Sequence, residues 1–398
     1  MLEQTGWRRY AEVFAAFLLL GCTSFGGPIA HLGYFRREFV ERRRWLDEAA
    51  YADLVALCQF LPGPASSQVG MALGIYRAGL PGAVLAWIAF TAPSAGAMIL
   101  FAYGIAQVSD LQQAMWLHGL KIAALVIVAQ AVWTMGRTLC VGAIRFSIAV
   151  GAAILCLIVA NAWSQLLAIA IGGLVGLRLL EVDDSDRSVH GDTVSYGHTW
   201  AITAWIVFAA LLIGLPLLVA ATGSHTLALI DSFYRSGSLV FGGGHVVLPL
   251  LQQEIVPRDW LSNDAFLAGY GAAQAVPGPL FTFAAYLGAA MSRPPNGMLG
   301  AVICVAAIFL PSFLLVVGAL PYWNRLRHQT RVREALQGVN AAVVGVLLAA
   351  LYNPVFTSSI HGTMDMAVAL GGIALLIAWN LPSWLVLILC TAAAVLVL

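Results

Sequence analysis

Two tripeptides, each present twice, could do chemistry in this chain because they break helices inside apolar sequence. Phe25-Gly26-Gly27 recurs as Phe241-Gly242-Gly243, and Pro62-Gly63-Pro64 recurs as Pro277-Gly278-Pro279. Proline removes a backbone donor and clashes with the preceding turn, whereas glycine adopts conformations closed to other residues. A helix that restarts after such a break offers unpaired N–H groups and the positive end of its dipole, which together bind anions. The four breaks therefore predict an anion site, although each one alone could merely kink a helix.

Polar side chains near the breaks could complete such a site. Lys121, the only lysine, lies in an apolar segment, where an ammonium costs about 2.5–3.5 kcal/mol and usually has a function. The alternative for Lys121 is snorkelling to the interface, and the alternative for Gln59 and Gln274 is bonding between helices. Ser67 and His31 are further donors close to the breaks. The predicted substrate-binding set is Gly26, Gly27, Gln59, Pro62, Gly63, Pro64, Ser66, Lys121, Gly242, Gly243, Gly244, His245, Gln274, Pro277, Gly278, Pro279, Thr282 and Asn340.

The elements that must position these groups are membrane helices. The chain has 398 residues, of which 61% are hydrophobic and 10% charged, and its mean hydropathy is +0.87. These values do not fit a soluble protein and predict an all-α polytopic protein in a lipid bilayer. Apolar stretches near the ~20 residues that cross a bilayer recur along the chain. They occupy residues 81–107, 114–136, 145–160, 164–180, 200–222, 296–322, 333–354, 363–379 and 381–398.

The chain is internally duplicated. Residues 11–136 align with about 227–354 at nearly constant offsets of 214–219, and the alignment superimposes both kinds of break. Asn340 falls opposite Lys121 in this alignment, so the halves would present one cation and one amide. We predict three parts: an N-terminal repeat at 1–180, an acidic cytoplasmic linker with an inverting helix at 181–222, and a C-terminal repeat at 223–398.

The arginines predict that the two repeats have opposite orientations. Residues 36–44 carry five arginines and the equivalent 252–259 carry one, whereas 106–114 carry none and the equivalent 325–333 carry four. Cytoplasmic loops collect basic residues, so equivalent loops prefer opposite sides, as in an inverted-topology repeat. Broken backbone at membrane depth must be buried in protein. We therefore predict nine spanning helices and four re-entrant hairpins that turn at the breaks, with the N-terminus inside and the C-terminus outside.

Other residues give no sign of metal, redox or nucleic-acid chemistry. The six cysteines lie singly in apolar segments without the spacing of a zinc site, and we expect neither a metal nor a cofactor. A net charge of +1 leaves no basic surface for nucleic acid. Glu38 and Glu254 are matched between the repeats, and their charged surroundings favour solvated loop positions. No buried carboxylate stands out in a repeat helix as a carrier of a coupled proton.

The same residues resemble the signature of the chromate ion transporter family. Phe25-Gly26-Gly27 is followed after twelve residues by Val40, after four more by Trp45, and after sixteen more by Pro62-Gly63-Pro64. Gly74 and Gly82 come next. The second half repeats the pattern with Val256 and Trp260, one residue shorter before the tryptophan and with less regular glycines afterwards. Two copies in one chain are similar to the long-chain, bidomain branch of the family.

The resemblance implies a function. A family member of this type is expected to export chromate from the bacterial cytoplasm across the inner membrane, to confer resistance, and to depend on the proton-motive force. Sulfate, another tetrahedral dianion, would be a competing ligand. A transporter of sulfate or another oxyanion is the first alternative. A membrane-embedded enzyme is the second, disfavoured by the lack of HExxH or paired intramembrane carboxylates. The oligomeric state is open, with a homodimer as one option.

Overall fold

The computed structural model describes residues 6–107, 115–159, 162–181, 198–241, 244–323 and 329–397, and every regular element within them is helical. Five of these helices are long and apolar enough to cross a membrane. This confirms the prediction of an all-α polytopic membrane protein. The linker sequence 182–197 and the residues Gly242 and Gly243 lie outside the described residues.

The helices are α1 (Gly6–Thr23), α2 (Gly27–Arg36), α3 (Glu48–Phe60), α4 (Ala65–Ile105), α5 (Met115–Leu139), α6 (Ala143–Ile158), α7 (Ala162–Leu179), α8 (His198–Thr222), α9 (His225–Leu239), α10 (Val247–Ile255), α11 (Asn263–Ala275), α12 (Phe283–Ala290), α13 (Gly297–Ala319), α14 (Thr330–Ala350), α15 (Thr363–Ile377) and α16 (Ser383–Val397). Helix α4 is two helices, 65–77 and 80–105, because Ala78 and Gly79 have non-helical backbone angles. Wider turns at Arg37–Arg42 and Leu351–Phe356 extend α2 and α14.

The Phe-Gly-Gly breaks are the turns of hairpins. In hairpin 1 (α1 and α2), the ring centroids of Phe17 and Phe35 are 5.6 Å apart on either side of the break. The Trp45 indole donates to Glu12 at 3.0 Å, so the chain returns to the end from which it came. In hairpin 3 (α9 and α10), the rings of His225 and Trp260 are 4.9 Å apart, so this hairpin returns as well.

The Pro-Gly-Pro breaks also reverse the chain. Hairpin 2 consists of α3 and residues 65–77, and hairpin 4 consists of α11 and α12. In hairpin 4, the Tyr286 hydroxyl donates to the Ala265 carbonyl at 2.7 Å, which sets the two legs side by side. Helices α3 and α11 have 13 residues each, which at 1.5 Å per residue is about 20 Å and too short for a bilayer core of about 30 Å. All four breaks thus reverse the chain, and the legs of hairpins 2 and 4 are too short to span the membrane, as re-entrant hairpins require.

We call the end of a hairpin opposite its break the base. Three hairpin legs begin there with a side-chain cap. Asp47 accepts a hydrogen bond from the Ala50 amide at 2.8 Å at the start of α3. Ser224 and Ser262 serve α9 and α11 in the same way. Such caps satisfy amides that have no partner within the helix, and each stabilises by about 1 kcal/mol. The polar bases and the glycine and proline breaks therefore fix both ends of these short legs.

Helix 80–105 shows that the hairpins of the two repeats have their bases at opposite ends of the molecule. Just before it, Arg77 pairs with Glu12 at 2.7 Å, at the base of hairpins 1 and 2. Near its other end, the Phe101 ring lies 5.6 Å from Tyr286, on the second leg of hairpin 4. Since 26 helical residues span about 39 Å, the two bases lie on opposite sides of the molecule. This agrees with the inverted repeats that the arginines predict.

Glu38 and Glu254 are buried in ion pairs at the two bases, so their interpretation as solvated loop charges is wrong. Glu38 pairs with Arg43 at 2.6 Å and with Arg42 at 3.2 Å, and its side chain is only 10% exposed. Glu254 pairs with Arg258 at 2.9 Å. Burial by itself would raise the pKa of Glu38, but the hydrogen bonds from Arg43 and Arg42 hold that pKa below its ordinary value.

Four helices of the predicted nine spans are short. Helices α6, α7, α15 and α16 have 16, 18, 15 and 15 residues, or about 22–27 Å. By length and composition, the five spans of the described chain are α4, α5, α8, α13 with the turn that follows it, and α14 with its extension. The count of nine crossings stays a prediction.

The short helices pack on the opposite repeat. Helices α6 and α7 lie on α14: Arg145 donates to Gln337 at 2.7 Å, and a Cβ on Gly172 would come within 2.5 Å of Ala342. Helices α15 and α16 lie on α5, where a Cβ on Gly119 would come within 2.7 Å of the Thr391 backbone. Each repeat thus packs its last two helices on a long helix of the other repeat. The domain boundaries 1–180 and 223–398 stay a prediction.

Cysteine labelling tests the opposed bases. In a variant without the six native cysteines, we expect a cysteine at Arg42 and one at Arg293, both exposed positions, to react with an impermeant maleimide from opposite sides of the membrane. Arg42→Cys should be the cytoplasmic one, because the arginines of 36–44 favour that side. Detergent-permeabilised membranes serve as the control for reactivity. Labelling of both cysteines from one side would contradict the inverted topology.

Candidate functional site at the hairpin tips

The four hairpin tips, which are the turns at the breaks, are joined in two equivalent pairs. The Gly63 amide in the tip of hairpin 2 donates to the Val240 carbonyl at 2.6 Å, next to the break of hairpin 3. The Gly278 amide in the tip of hairpin 4 donates to the Ser24 carbonyl at 2.9 Å, next to the break of hairpin 1. Each Pro-Gly-Pro tip therefore contacts the Phe-Gly-Gly tip of the other repeat, and the two repeats meet at these four turns.

Glycine is required at both Pro-Gly-Pro tips. Gly63 and Gly278 have φ values of +125° and +98°, which L side chains rarely adopt. A Cβ on Gly63 would lie 2.4 Å from Ser312 Oγ, and a Cβ on Gly278 would lie 2.8 Å from Ser94 Oγ. Ser94 and Ser312 occupy matched positions on α4 and α13. Each follows a proline, Pro93 or Pro311, and neither was among the predicted site residues.

His31 connects the tips of hairpins 1 and 2. Its Nε2 lies 3.1 Å from the Ser24 carbonyl, and its Nδ1 lies 3.3 Å from Ser66 Oγ. A carbonyl oxygen only accepts, so Nε2–H donates to it and the neutral ring accepts at Nδ1 from the serine hydroxyl. All three residues are buried. Two breaks that are about 40 residues apart in sequence thus share one polar contact.

Two further side chains stabilise the Pro-Gly-Pro turns. Gln68 Nε2 donates to the Pro62 carbonyl at 2.6 Å, and Thr282 Oγ1 donates to the Pro279 carbonyl at 2.7 Å. Proline has no backbone N–H, so the turn has fewer amide donors. Side chains therefore donate to carbonyls that backbone amides would pair with in a continuous helix. Gln68 was not predicted. Six residues after Pro277 the second half has no glutamine, so the duplication gave no sign of Gln68.

Several buried hydroxyls around the tips have no hydrogen-bond partner within the described residues: Ser24 Oγ, Ser67 Oγ, Thr91 Oγ1 and Ser312 Oγ. Buried polar groups are ordinarily paired, and leaving one unpaired costs about 1–3 kcal/mol. Hydroxyl groups can donate to a ligand that carries acceptor oxygens. The tips therefore hold several hydroxyl donors without a partner among the described residues, and the anion site stays a prediction.

The predicted residues at the tips themselves are Gly26, Gly27, Pro62, Gly63, Pro64, Ser66, Pro277, Gly278, Pro279 and Thr282. Gly244 begins a short turn before α10, and the nearby His245 Nδ1 lies 2.7 Å from the Tyr270 hydroxyl. Gln59 is exposed, and Gln274 is half-buried, its Nε2 having no hydrogen-bond partner among the described residues. The amides of Gly63 and Gly278 are already used between the tips, so these two are not free donors in this conformation.

Lys121 lies elsewhere. Its Nζ is 3.0 Å from Asp264 Oδ1, in the first turn of α11 at the base of hairpin 4. The ammonium therefore points toward the base rather than the tip, as the snorkelling alternative requires. Asn340 is half-buried on α14, near Gln337. The binding roles of Lys121 and Asn340 stay predictions.

An ion-pair cluster that was not predicted from the sequence joins the two legs of hairpin 3. Arg235 pairs with Asp231 at 2.5 Å and with Glu254 at 3.4 Å, and both carboxylates are buried. The expectation that no buried carboxylate stands out in a repeat helix is therefore wrong. The signal was present as an Asp/Arg pair four residues apart in α9, at positions where α1 has Ala15 and Leu19.

The arrangement defines a class: a polytopic membrane protein with inverted repeats whose broken helices meet in the interior, as in secondary transporters. The model of the family described as chromate transporter matches residues 11–177 and 227–396. The chain belongs to this family, which confirms the resemblance seen in its sequence.

Curated relatives of similar length support the assignment. The chain is similar to the chromate transport protein of Pseudomonas aeruginosa, with 29% identity over 382 residues covering 93% of this chain and 88% of that protein. It is 28% identical to the probable chromate transport protein of Synechococcus elongatus, over 95% of this chain and 93% of the relative. It is 27% identical to the chromate transport protein of Cupriavidus metallidurans, over 84% of this chain and 80% of the relative. No solved structure matches the chain.

Proposed function

We propose that this protein exports chromate from the bacterial cytoplasm across the inner membrane and thereby confers chromate resistance. The observation that carries the proposal is the junction of four hairpin tips, at which buried hydroxyls of Ser24, Ser67, Thr91 and Ser312 have no partner within the described chain. The family and the names of the relatives favour chromate as the substrate.

The chemistry of the tips suits a tetrahedral oxyanion. Chromate carries four acceptor oxygens and two negative charges, so it needs several donors that converge from different directions. Hydroxyls from α4 and α13 and from two tips would supply them, and the helix restarting after Pro64 would add its unpaired amides and the positive end of its dipole. Sulfate has the same shape and charge, so these donors would also accept it as a competitor.

Transport requires the tip contacts to change. The hydrogen bonds from Gly63 to Val240 and from Gly278 to Ser24 join the two repeats. In our mechanism, rocking of one repeat against the other opens one of these equivalent contacts at a time, which exposes the substrate first to one side and then to the other. Because the contacts are equivalent, the two open states would have similar energies.

The membrane potential favours export. Moving a dianion out of a negative cytoplasm gains about 2.3 kcal/mol per charge per 100 mV, or about 4.6 kcal/mol for chromate. Export could therefore proceed on the potential without a second ion. The buried Asp231 and Glu254 are the carboxylates to examine if a proton is exchanged.

Everted membrane vesicles test the function. We expect uptake of radiolabelled chromate that falls when the potential is collapsed, and that excess sulfate inhibits. Collapse of the pH gradient alone, with the potential kept, separates proton exchange from transport driven by the potential. Sulfate uptake without chromate uptake, or without resistance in cells, would assign the protein to the alternative oxyanion. Reduction of chromate by the purified protein would support the enzyme alternative instead.

A further inference from the structure

Two histidines and one aspartate converge where the first turn of α5 meets the start of α15. His118 Nε2 lies 2.9 Å from Asp365 Oδ1. The rings of His118 and His361 are stacked with centroids 5.4 Å apart. One ligand atom from each of the three residues lies within 4.8 Å of the other two. Residues 118 and 365 belong to different repeats, so only the folded chain brings them together.

The aspartate is held in place by its second oxygen. Asp365 Oδ2 accepts from the amides of His361 at 2.8 Å and Gly362 at 3.1 Å. This leaves Oδ1 directed at His118, and the side chain is buried. Backbone groups that orient a ligand carboxylate in this way are typical outer-shell partners at metal sites. His361 is exposed just before α15 begins, so the cluster is open at the surface of the protein.

We propose that His118, His361 and Asp365 bind a transition-metal cation that accepts both nitrogen and oxygen ligands. Zn²⁺ is the probe for this site. Zinc takes imidazole nitrogens and carboxylate oxygens at about 2.0–2.2 Å, and a site with three protein ligands keeps a fourth position for water. Calcium and magnesium require mostly oxygen ligands, which two imidazoles do not provide. Binding at His118 Nε2 moves its proton to Nδ1, which a neutral imidazole allows.

The site is separate from the hairpin tips. His118 lies three residues before Lys121, whose ammonium pairs at the base of hairpin 4. Just before His361 in the chain, Ser359 Oγ donates to the Lys121 carbonyl at 3.1 Å. A bound cation would therefore fasten α5 of the first repeat to the start of α15 of the second. Because it binds only the folded chain, it would also stabilise the protein.

Titration calorimetry with Zn²⁺ on the purified, chelator-stripped and tag-free full chain tests the proposal. We expect one equivalent to bind, and Co²⁺ in its place to give the visible absorption of a four-coordinate site. His118→Ala and His361→Ala should each weaken Zn²⁺ binding by at least about tenfold, since even loss of an outer-shell partner costs about 10–100-fold.

His225→Ala is the matched control, because His225 is packed against Trp260 at the base of hairpin 3. This variant should bind Zn²⁺ like the unmodified protein. His361 is exposed, so His361→Ala leaves the packing of the helices intact and avoids the loss of fold that an Asp365 variant risks. Unchanged Zn²⁺ affinity in His361→Ala, or no difference between the unmodified protein and His118→Ala, would overturn the proposal.

Discussion

Gly63→Ala is expected to reduce chromate transport by about tenfold or more, while the protein still reaches the membrane. Gly63 has a φ of +125°, and its added Cβ would lie 2.4 Å from Ser312 Oγ and 2.7 Å from Gln68 Nε2. A left-handed conformation costs an L residue about 1–2 kcal/mol, and overpacking costs about 1–3 kcal/mol. Each 1.36 kcal/mol is about tenfold in rate if the strain is felt while the tips rearrange.

The measurement is the initial rate of chromate uptake into everted vesicles, normalised to the amount of protein in the membrane. Gly104→Ala is the matched control, because no atom of the described chain lies within 4 Å of a Cβ at that position on α4. Gly278→Ala should reproduce the loss, since Gly278 occupies the equivalent tip and meets Ser94 in the same way. A Gly63→Ala protein that transports at the rate of Gly104→Ala would refute the assignment of the tips as the site.

Arg235→Ala is expected to destabilise the protein by about 3–5 kcal/mol. The guanidinium pairs with Asp231 and Glu254, both buried. Removing one partner of a buried ion pair leaves an uncompensated charge away from water, which costs far more than the pair itself contributes. Glu254 keeps Arg258, so Asp231 would carry most of the penalty.

Thermal unfolding in detergent, followed by tryptophan fluorescence, measures this effect. Arg36→Ala is the control: its pairs with Glu41 and Glu48 are exposed, and such pairs contribute about 0–1 kcal/mol. Combining Arg235→Gln with Asp231→Asn removes both charges and should recover part of the lost stability. If Arg235→Ala unfolds at the same temperature as Arg36→Ala, the cluster does not stabilise the fold.

The hairpins could be predicted from the sequence because their causes are local. A Phe-Gly-Gly or Pro-Gly-Pro break interrupts a helix wherever it stands, and the arginines of 36–44 indicate which end of a segment faces the cytoplasm. The duplication then predicts that equivalent breaks form equivalent turns. From the rule that broken backbone must be buried, it also follows that the tips lie inside the protein.

The partners of individual groups could not be predicted, because they depend on contacts between residues far apart in the chain. Lys121 lies 143 residues from Asp264, and His118 lies 247 residues from Asp365. A single sequence places Lys121 in an apolar helix without indicating where its side chain points. Likewise, the two glycine amides were expected to be free, and only the folded arrangement sets carbonyls of the opposite repeat against them.

The exchange of the short helices has a consequence for how the protein can be made. Helix α14 is covered by α6 and α7, and α5 is covered by α15 and α16. Either half produced by itself would leave the covered face of α5 or α14 bare, and its last two helices would lack the long helix on which they pack. A single chain supplies both pairs of covering helices in equal amounts at the same place and time, so the assembly step that two separate subunits would need is not required.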